Sequence, residues 1–456
     1  MRLLTFSLFT YLFMPLAVHA HVSEQGFVLL LPTGVYIVAG VTAVALTVMA
    51  LFAVTGDGVR ALFAVRRFAP RVPQRVLHLL SFCATGVLFG LIYLGIYGPR
   101  DPLSNLMPLG FWTVGWIGMV SLTTVFGNLW TAFNPWSGLH ALIGPRAAKF
   151  ALPATLGHWP AIVLLVGFAA FLLADIAPDD PTRLARFVGL YWLITMAGTL
   201  ICGTAWLRHV ELGHAIFDAF SRLAPVRLSA PAGIGGPGWQ VIERPAQTGA
   251  GIFALTLLAV GSFDGLNETF WWLGLIGVNP LEFPGRSAVV GITLIGLFAT
   301  VVLLIASFAI TIWLGLRISR ADVAFRIAFS TLALCVLPIA LVYHMAHYLT
   351  SLLVSAQYTL AALSDPLGTG ADILGIEPFR VTTGFFNSID TVRVIWITQA
   401  GLVVFGHVWS VFLAHRIALN LFGTTLRAAF ATLPLSLFMI AYTFLGLWLL
   451  AAPKGM

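Results

Sequence analysis

Apolar stretches about twenty residues long recur along the chain at short intervals, and this recurrence constrains the fold more than any other feature. Of the 456 residues, 59% are apolar and only 9% are charged, whereas a soluble domain carries roughly a quarter charged residues. The surface must therefore face lipid, and we predict an all-α, polytopic transmembrane bundle of about ten helices. The predicted spans lie near residues 28–54, 76–97, 110–130, 159–177, 187–207, 248–276, 288–316, 327–353, 392–415 and 428–451.

The N-terminus has the pattern of a cleavable export signal. Arg2 precedes an apolar run that ends in Ala17-Val18-His19-Ala20, which places small residues where signal peptidase requires them. We predict that residues 1–20 form a signal peptide and that cleavage leaves His21 as the mature N-terminus. The alternative is an uncleaved first helix.

The basic residues indicate topology, because most of them lie in the short connections between apolar runs. With His21 outside, sixteen Lys and Arg residues fall in predicted cytoplasmic connections and seven in predicted periplasmic ones. We therefore predict a multipass protein of the bacterial inner membrane with both termini in the periplasm. The net charge of +7 reflects this topology and does not indicate a nucleic-acid partner.

Two long connections divide the chain. We predict a first five-helix half at residues 21–207, a cytoplasmic surface helix and linker at 208–247, and a second half at 248–456. The linker contains a Gly/Pro-rich stretch, residues 231–237, for which we predict irregular structure. Residues 354–391 are predicted to form a periplasmic loop, which at this length is either functional or a disordered linker.

Four histidines lie on two consecutive predicted helices, and ionisable groups inside a bilayer are functional candidates. His344 and His347 are three residues apart and share a helix face, so both could ligate one ion. We predict a metal site of His344, His347 and His407, with His415 as an interfacial residue. The alternative is that the paired histidines only hydrogen-bond to neighbouring carbonyls.

The remaining candidates are the new N-terminus and the acidic residues. His21 would offer its amine and its ring to copper or zinc on the same membrane face as His347, although its presence there could also be chance. Asp264 and Glu268 lie one turn apart, so they could ligate a metal, transfer protons or pair with a base, unless the helix has already left the hydrocarbon. Asp365 lies in the predicted periplasmic loop.

Several short motifs resemble those of a bacterial family of multipass membrane proteins called fenitrothion hydrolases. In the last third of the chain they are Ala346-His347-Tyr348, Ser364-Asp365-Pro366-Leu367-Gly368, Gly406-His407-Val408 and Ala414-His415-Arg416-Ile417-Ala418-Leu419. Upstream they are Asn134-Pro135-Trp136 and Phe263-Asp264-Gly265. The likeness extends over most of the mature chain.

This resemblance implies a membrane-bound enzyme that hydrolyses organophosphorus triesters, with a second membrane subunit as a candidate partner. A metal-bound hydroxide would suit that chemistry, because it supplies a nucleophile and stabilises charge on the phosphoryl oxygen. We predict a divalent metal ion, zinc or copper, with Asp264, Glu268 and Asp365 as candidate catalytic carboxylates. An apolar small-molecule substrate would reach the site from the lipid bilayer.

Two other functions fit the same residues. The first is a copper-handling membrane protein, because the histidine-bearing helices and the exported N-terminal histidine resemble CopD-type permeases. The second is a haem-binding electron-transfer protein, because histidines on neighbouring helices can ligate iron axially.

Overall fold

The computed structural model describes residues 24–52, 56–69, 72–144, 148–229, 231–244, 246, 249–376 and 378–454. The predicted signal peptide and His21 lie outside the described residues. Within these ranges the chain is predominantly helical, with only three short strands, which confirms the predicted all-α polytopic bundle.

Eleven apolar helices form the bundle, and nine of those in the described part of the chain are long and apolar enough to cross a bilayer. They are α1 (Thr33–Ala50), α2 (Gln74–Tyr97), α3 (Leu106–Phe126), α4 (Trp159–Ala174), α5 (Pro181–Cys202), α6 (Ala250–Asn267), α7 (Arg286–Ser319), α8 (Phe325–His347), α9 (Leu349–Ser364), α10 (Ile389–Phe422) and α11 (Thr425–Ala451). The two shorter members are α4 and α9. The chain is thus a helical integral membrane protein.

Short helices connect these elements. They are Glu24–Leu30, Gly56–Leu62, Trp130–Phe133, Ser137–Ile143, Ala154–Leu156, Thr204–His209, Leu212–Ser221, Trp239–Glu243, Phe270–Leu275, Pro280–Glu282 and Gly384–Phe386. Two of the bundle helices change winding: Leu109–Met119 of α3 is a π-helix and Ala333–Val336 of α8 is a 3₁₀ turn. Such irregular turns often occur at functional positions of membrane helices.

Helix α9 corrects the predicted loop. The helix continues to Ser364, so the irregular segment begins at Asp365 and ends where α10 starts at Ile389. The run from Leu349 to Ser364 is apolar and packs on the π-helical part of α3. That packing gives the segment a buried face. Hydropathy alone does not reveal this contact, so the segment was predicted to be part of the loop.

A small sheet also corrects the prediction for the Gly/Pro-rich linker. Strand β3 (Gly233–Gly235) pairs antiparallel with β1 (Val65–Arg67) on one side and with β2 (Val226–Arg227) on the other. The glycines permit this pairing, because a Cβ on Gly235 would lie 2.8 Å from the carbonyl oxygen of Ala64. The linker is therefore attached to the first half of the chain by backbone hydrogen bonds.

The bundle has two distinct ends, here named the sheet end and the site end. Helices α6, α8 and α11 finish at the site end, and α10 starts there, since Gln399 donates to the carbonyl of Ala346. Leu31 packs with Ala346 and Leu447, so the described chain begins and finishes at this same end. The predicted placement of both termini on one side is consistent with this, while its assignment to the periplasm stays a prediction.

Candidate functional site

A carboxylate and an imidazole meet inside the bundle at the site end. Asp264 lies three residues before the end of α6, and His347 is the last residue of α8. His347 Nε2 is 3.2 Å from Asp264 Oδ2, and the two side chains are only 9% and 10% exposed. We name this pair the Asp264–His347 dyad. Ionisable groups at such depth mark functional sites in membrane proteins.

Tyr348 completes the hydrogen bonding of the dyad. Its hydroxyl donates to Asp264 Oδ2 over 2.6 Å. Because a carboxylate only accepts, the His347 nitrogen facing Asp264 must carry a proton, which leaves Nδ1 with the lone pair in the neutral ring. Among the described residues no hydrogen bond occupies that Nδ1. The arrangement therefore presents one basic nitrogen held by an acidic partner.

The absence of a side chain at Gly265 of α6 allows the dyad to form. Tyr343 lies along α6, and a Cβ on Gly265 would be 1.9 Å from its hydroxyl oxygen, whereas one on Gly261 would be 3.5 Å from its Cδ1. The Tyr343 ring stacks on His347 with centroids 5.9 Å apart and planes 11° apart. Close helix contact through small residues thus brings Asp264 to His347.

His344 faces a different neighbour from His347. Its Nε2 is 3.0 Å from the carbonyl oxygen of Trp116, in the π-helical part of α3, and its ring lies edge-on to the Trp116 indole at 4.9 Å. The predicted pair on one helix therefore contacts α3 through one ring and α6 through the other.

His407 lies deeper, away from the dyad. Its Nδ1 is 2.8 Å from the carbonyl oxygen of Val403 on the same helix, and its ring faces Tyr442 of α11. Gln399 is level with Ala346, so His407 is eight residues, or about 12 Å, further along α10. The structure does not bring His407 to the dyad.

The predicted carboxylates beyond Asp264 have their own partners. Glu268 lies 3.4 Å from Lys454 Nζ. Asp365 accepts hydrogen bonds from the backbone N–H groups of Thr369 and Gly370, which lower the pKa of its carboxyl. His21 lies outside the described residues, so its predicted role stays a prediction.

These positions bear on the metal hypothesis. A zinc site needs three or four protein ligands around one ion. In the ranges described, no three His, Cys, Asp or Glu side chains are grouped so that they could hold a metal. The residues therefore do not fit a preformed metal centre, and we derive no step through a metal. Copper or zinc binding and haem ligation stay predictions of the sequence.

Sequence reasoning missed the aromatic residues that build the site. Tyr348 follows His347 directly, and Tyr343 precedes it by one turn, so both were visible as polar aromatics next to a candidate histidine. The spacing of Gly261 and Gly265, four residues apart, was a second available signal, because this spacing is typical of close helix pairs in membranes.

Comparisons with known proteins add no further constraint on the site. No protein-family model matches the chain, and the searches of curated proteins and of solved structures returned no significant match. The conclusion that the geometry allows is that this is a multipass helical membrane protein with a buried carboxylate–imidazole–phenol cluster at one end of its bundle.

Proposed function

We propose that this protein is a membrane-embedded hydrolase whose Asp264–His347 dyad removes a proton from water, with uncharged organophosphorus triesters as the substrate class. The observation that carries the proposal is the contact between His347 Nε2 and Asp264 Oδ2 at 3.2 Å. A carboxylate that orients a histidine so that its other nitrogen acts as a base is a recurring catalytic arrangement. The substrate class comes from the resemblance to fenitrothion hydrolases.

The chemistry requires only groups that this chain supplies, together with water. His347 Nδ1 accepts a proton from water while the water oxygen forms a bond to phosphorus. The phosphorus–oxygen bond to the leaving group breaks, and that group departs with the bonding electrons. Asp264 stabilises the imidazolium that results, and Tyr348 holds the carboxylate in place.

The location of the dyad suits an apolar substrate. Asp264 and His347 lie near the ends of their helices, in a bundle whose outer faces are apolar. A neutral triester dissolves in lipid and would approach the site from the membrane rather than from bulk water. Charged phosphodiesters would be excluded by the cost of moving a charge into this environment.

Hydrolysis of a chromogenic dialkyl aryl phosphate by the purified protein in liposomes tests the proposal. We expect His347→Gln, which retains a donor to Asp264 but has no basic nitrogen, to lower kcat by about 100-fold or more. His140→Gln is the matched control, because His140 is a buried histidine of the short helix Ser137–Ile143 and does not belong to the dyad.

Unchanged turnover in a folded His347→Gln protein would refute the dyad. Elemental analysis of the same samples examines the metal hypothesis separately. Stoichiometric zinc or copper, together with loss of turnover on chelation, would favour the metal-dependent mechanism over the dyad alone. A copper-dependent growth phenotype of the deletion strain, or a Soret band, would favour the copper or haem alternative.

A further inference from the structure

Three imidazoles lie at successive depths of the bundle, His347 beside α10 and His407 and His415 on it. His347 is level with Gln399, because Gln399 donates to the carbonyl of the preceding residue, Ala346. His407 and His415 follow at steps of eight residues along α10. Each step is about 12 Å, so the three rings extend over about 24 Å of a hydrocarbon core about 30 Å thick.

The two deeper rings are unusual in their hydrogen bonding. His407 and His415 are each 1% exposed. Nε2 of His407 and both ring nitrogens of His415 have no hydrogen-bond partner within the described chain. An imidazole always carries a donor or an acceptor at each nitrogen, and leaving either buried without a partner is unfavourable. Packing alone does not account for histidine at these two positions.

Polar groups lie between the rings. Below the dyad, Tyr343 stacks on His347, and the Tyr442 hydroxyl is 2.5 Å from Ser262 Oγ. Ser262 donates to the carbonyl of Leu258, so the Tyr442 hydroxyl donates to Ser262. Tyr442 also faces the His407 ring, with centroids 6.4 Å apart.

A further hydroxyl lies between His407 and His415. Ser410 lies on α10 between His407 and His415, and its hydroxyl is 2.5 Å from the carbonyl oxygen of Cys335 on α8. Tyr442 of α11 thus presents a phenol to the His407 ring, and Ser410 adds a hydroxyl further along α10. A neutral imidazole with hydroxyl neighbours can both accept and release a proton.

We propose that these residues form a proton-transfer path that joins the Asp264–His347 dyad to the sheet end of the bundle. A proton that reaches one imidazole nitrogen is matched by release of another from the second nitrogen of the same ring, so no net chemistry occurs. Intervening hydroxyls and water carry the proton between rings. Chains of acidic and histidine side chains perform this task in membrane pumps and transporters. The path shares His347 with the proposed hydrolytic site, but proton transfer along it does not require ester hydrolysis.

Proton flux through the full-length protein in liposomes tests the path. Vesicles containing a pH-sensitive dye are given a potassium diffusion potential, and the rate of internal acidification is compared with protein-free vesicles. We expect the wild-type protein to raise the rate and His407→Gln to remove most of the increase, because glutamine can form hydrogen bonds but does not titrate. His140→Gln, which lies off the path, should conduct like the wild type.

His415→Gln provides a second, independent test if His407→Gln fails to fold. Wild-type flux equal to that of empty vesicles would overturn the proposal, and so would unchanged flux in both folded glutamine variants. Hydrolysis is measured on the same preparations, so loss of flux with retained turnover separates the path from the hydrolase, and the reverse result does the same.

Discussion

Each end of the bundle contains a buried aspartate, and the two aspartates have chemically different partners. At the sheet end, Asp218 contacts two arginines: Arg244 through Oδ1 and Arg222 through Oδ2 at 3.4 Å. At the site end, the partners of Asp264 are an imidazole and a phenol. Arginine cannot release its proton in a protein, whereas histidine and tyrosine can. The aspartate at the sheet end is fixed as an anion, and the one at the site end has partners that exchange protons.

This difference separates a structural ion pair from a functional one. Burial raises the pKa of Asp218, but the charges of Arg222 and Arg244 outweigh burial and lower it to about 2. A carboxylate with a depressed pKa stabilises the fold above its unfolded value near 3.9, and this contribution is lost as the pH falls toward about 2. Across the physiological range Asp218 therefore holds the helix Leu212–Ser221 against the linker without changing its charge.

Replacement of the sheet-end aspartate should have the largest effect on stability. We expect Asp218→Asn to lower the free energy of unfolding by about 3–5 kcal/mol, because Arg222 and Arg244 would stay buried without a counter-ion. The advantage of the wild type should shrink as the pH falls from about 4 toward about 2. Equilibrium unfolding in mixed detergent micelles measures both effects.

Asp390→Asn is the matched control for that experiment. Asp390 pairs with Arg393 at 3.2 Å, but its side chain is 80% exposed, so its loss should cost less than about 1 kcal/mol. Equal destabilisation by the two substitutions would contradict the assignment of Asp218 as the central buried anion of the sheet end.

A second prediction concerns the backbone contact that holds the site-end aspartate. In Gly265→Ala the new Cβ would lie 1.9 Å from the Tyr343 hydroxyl oxygen, so α6 and α8 must separate. We expect a loss of about 1–3 kcal/mol from overpacking, together with loss of hydrolysis because the dyad opens. Unfolding and turnover are measured on the same preparation.

Gly261→Ala is the control, because its Cβ would be 3.5 Å from Tyr343 Cδ1, an ordinary contact distance. It should retain both stability and turnover. If Gly265→Ala is as active as Gly261→Ala, the close approach of α6 and α8 does not position the dyad.

The sequence alone predicts the membrane bundle well, because lipid imposes length and hydropathy on every span. The apolar runs locate α1 to α8, α10 and α11, although the predicted ends differ from the observed ones by up to nine residues, at the end of α6, and the shorter α4 corresponds to the run near 159–177. It fails at β3, where Gly233, Ile234 and Gly235 form a strand that pairs with nearby β2 and with Val65–Arg67, far away in sequence. Pairing at such sequence separation leaves no local pattern.

Only part of the site could be predicted from the sequence. Asp264 and His347 were identified as ionisable residues inside the bilayer, and they meet in space. Helical periodicity placed His344 and His347 on one face of α8. It could not show that His344 would contact α3 and that His347 would contact α6. Which of several buried polar residues come into contact depends on which helices pack against each other. The local pattern of a single sequence does not predict that packing.

The substitution of Asp264, for which we expect only a small change in stability, is the sharpest test of the difference between the two buried aspartates. Asp264→Asn keeps an oxygen that can accept from Tyr348, and it leaves no permanent charge buried beside it, so we expect a cost of only about 1 kcal/mol. Hydrolysis should nevertheless be lost, because the amide cannot stabilise an imidazolium. Unfolding of Asp264→Asn and Asp218→Asn side by side gives the ratio of the two costs. Equal costs would mean that the dyad is a structural ion pair like that of Asp218 and its arginines. That result would remove both the proposed base and the starting point of the proton path.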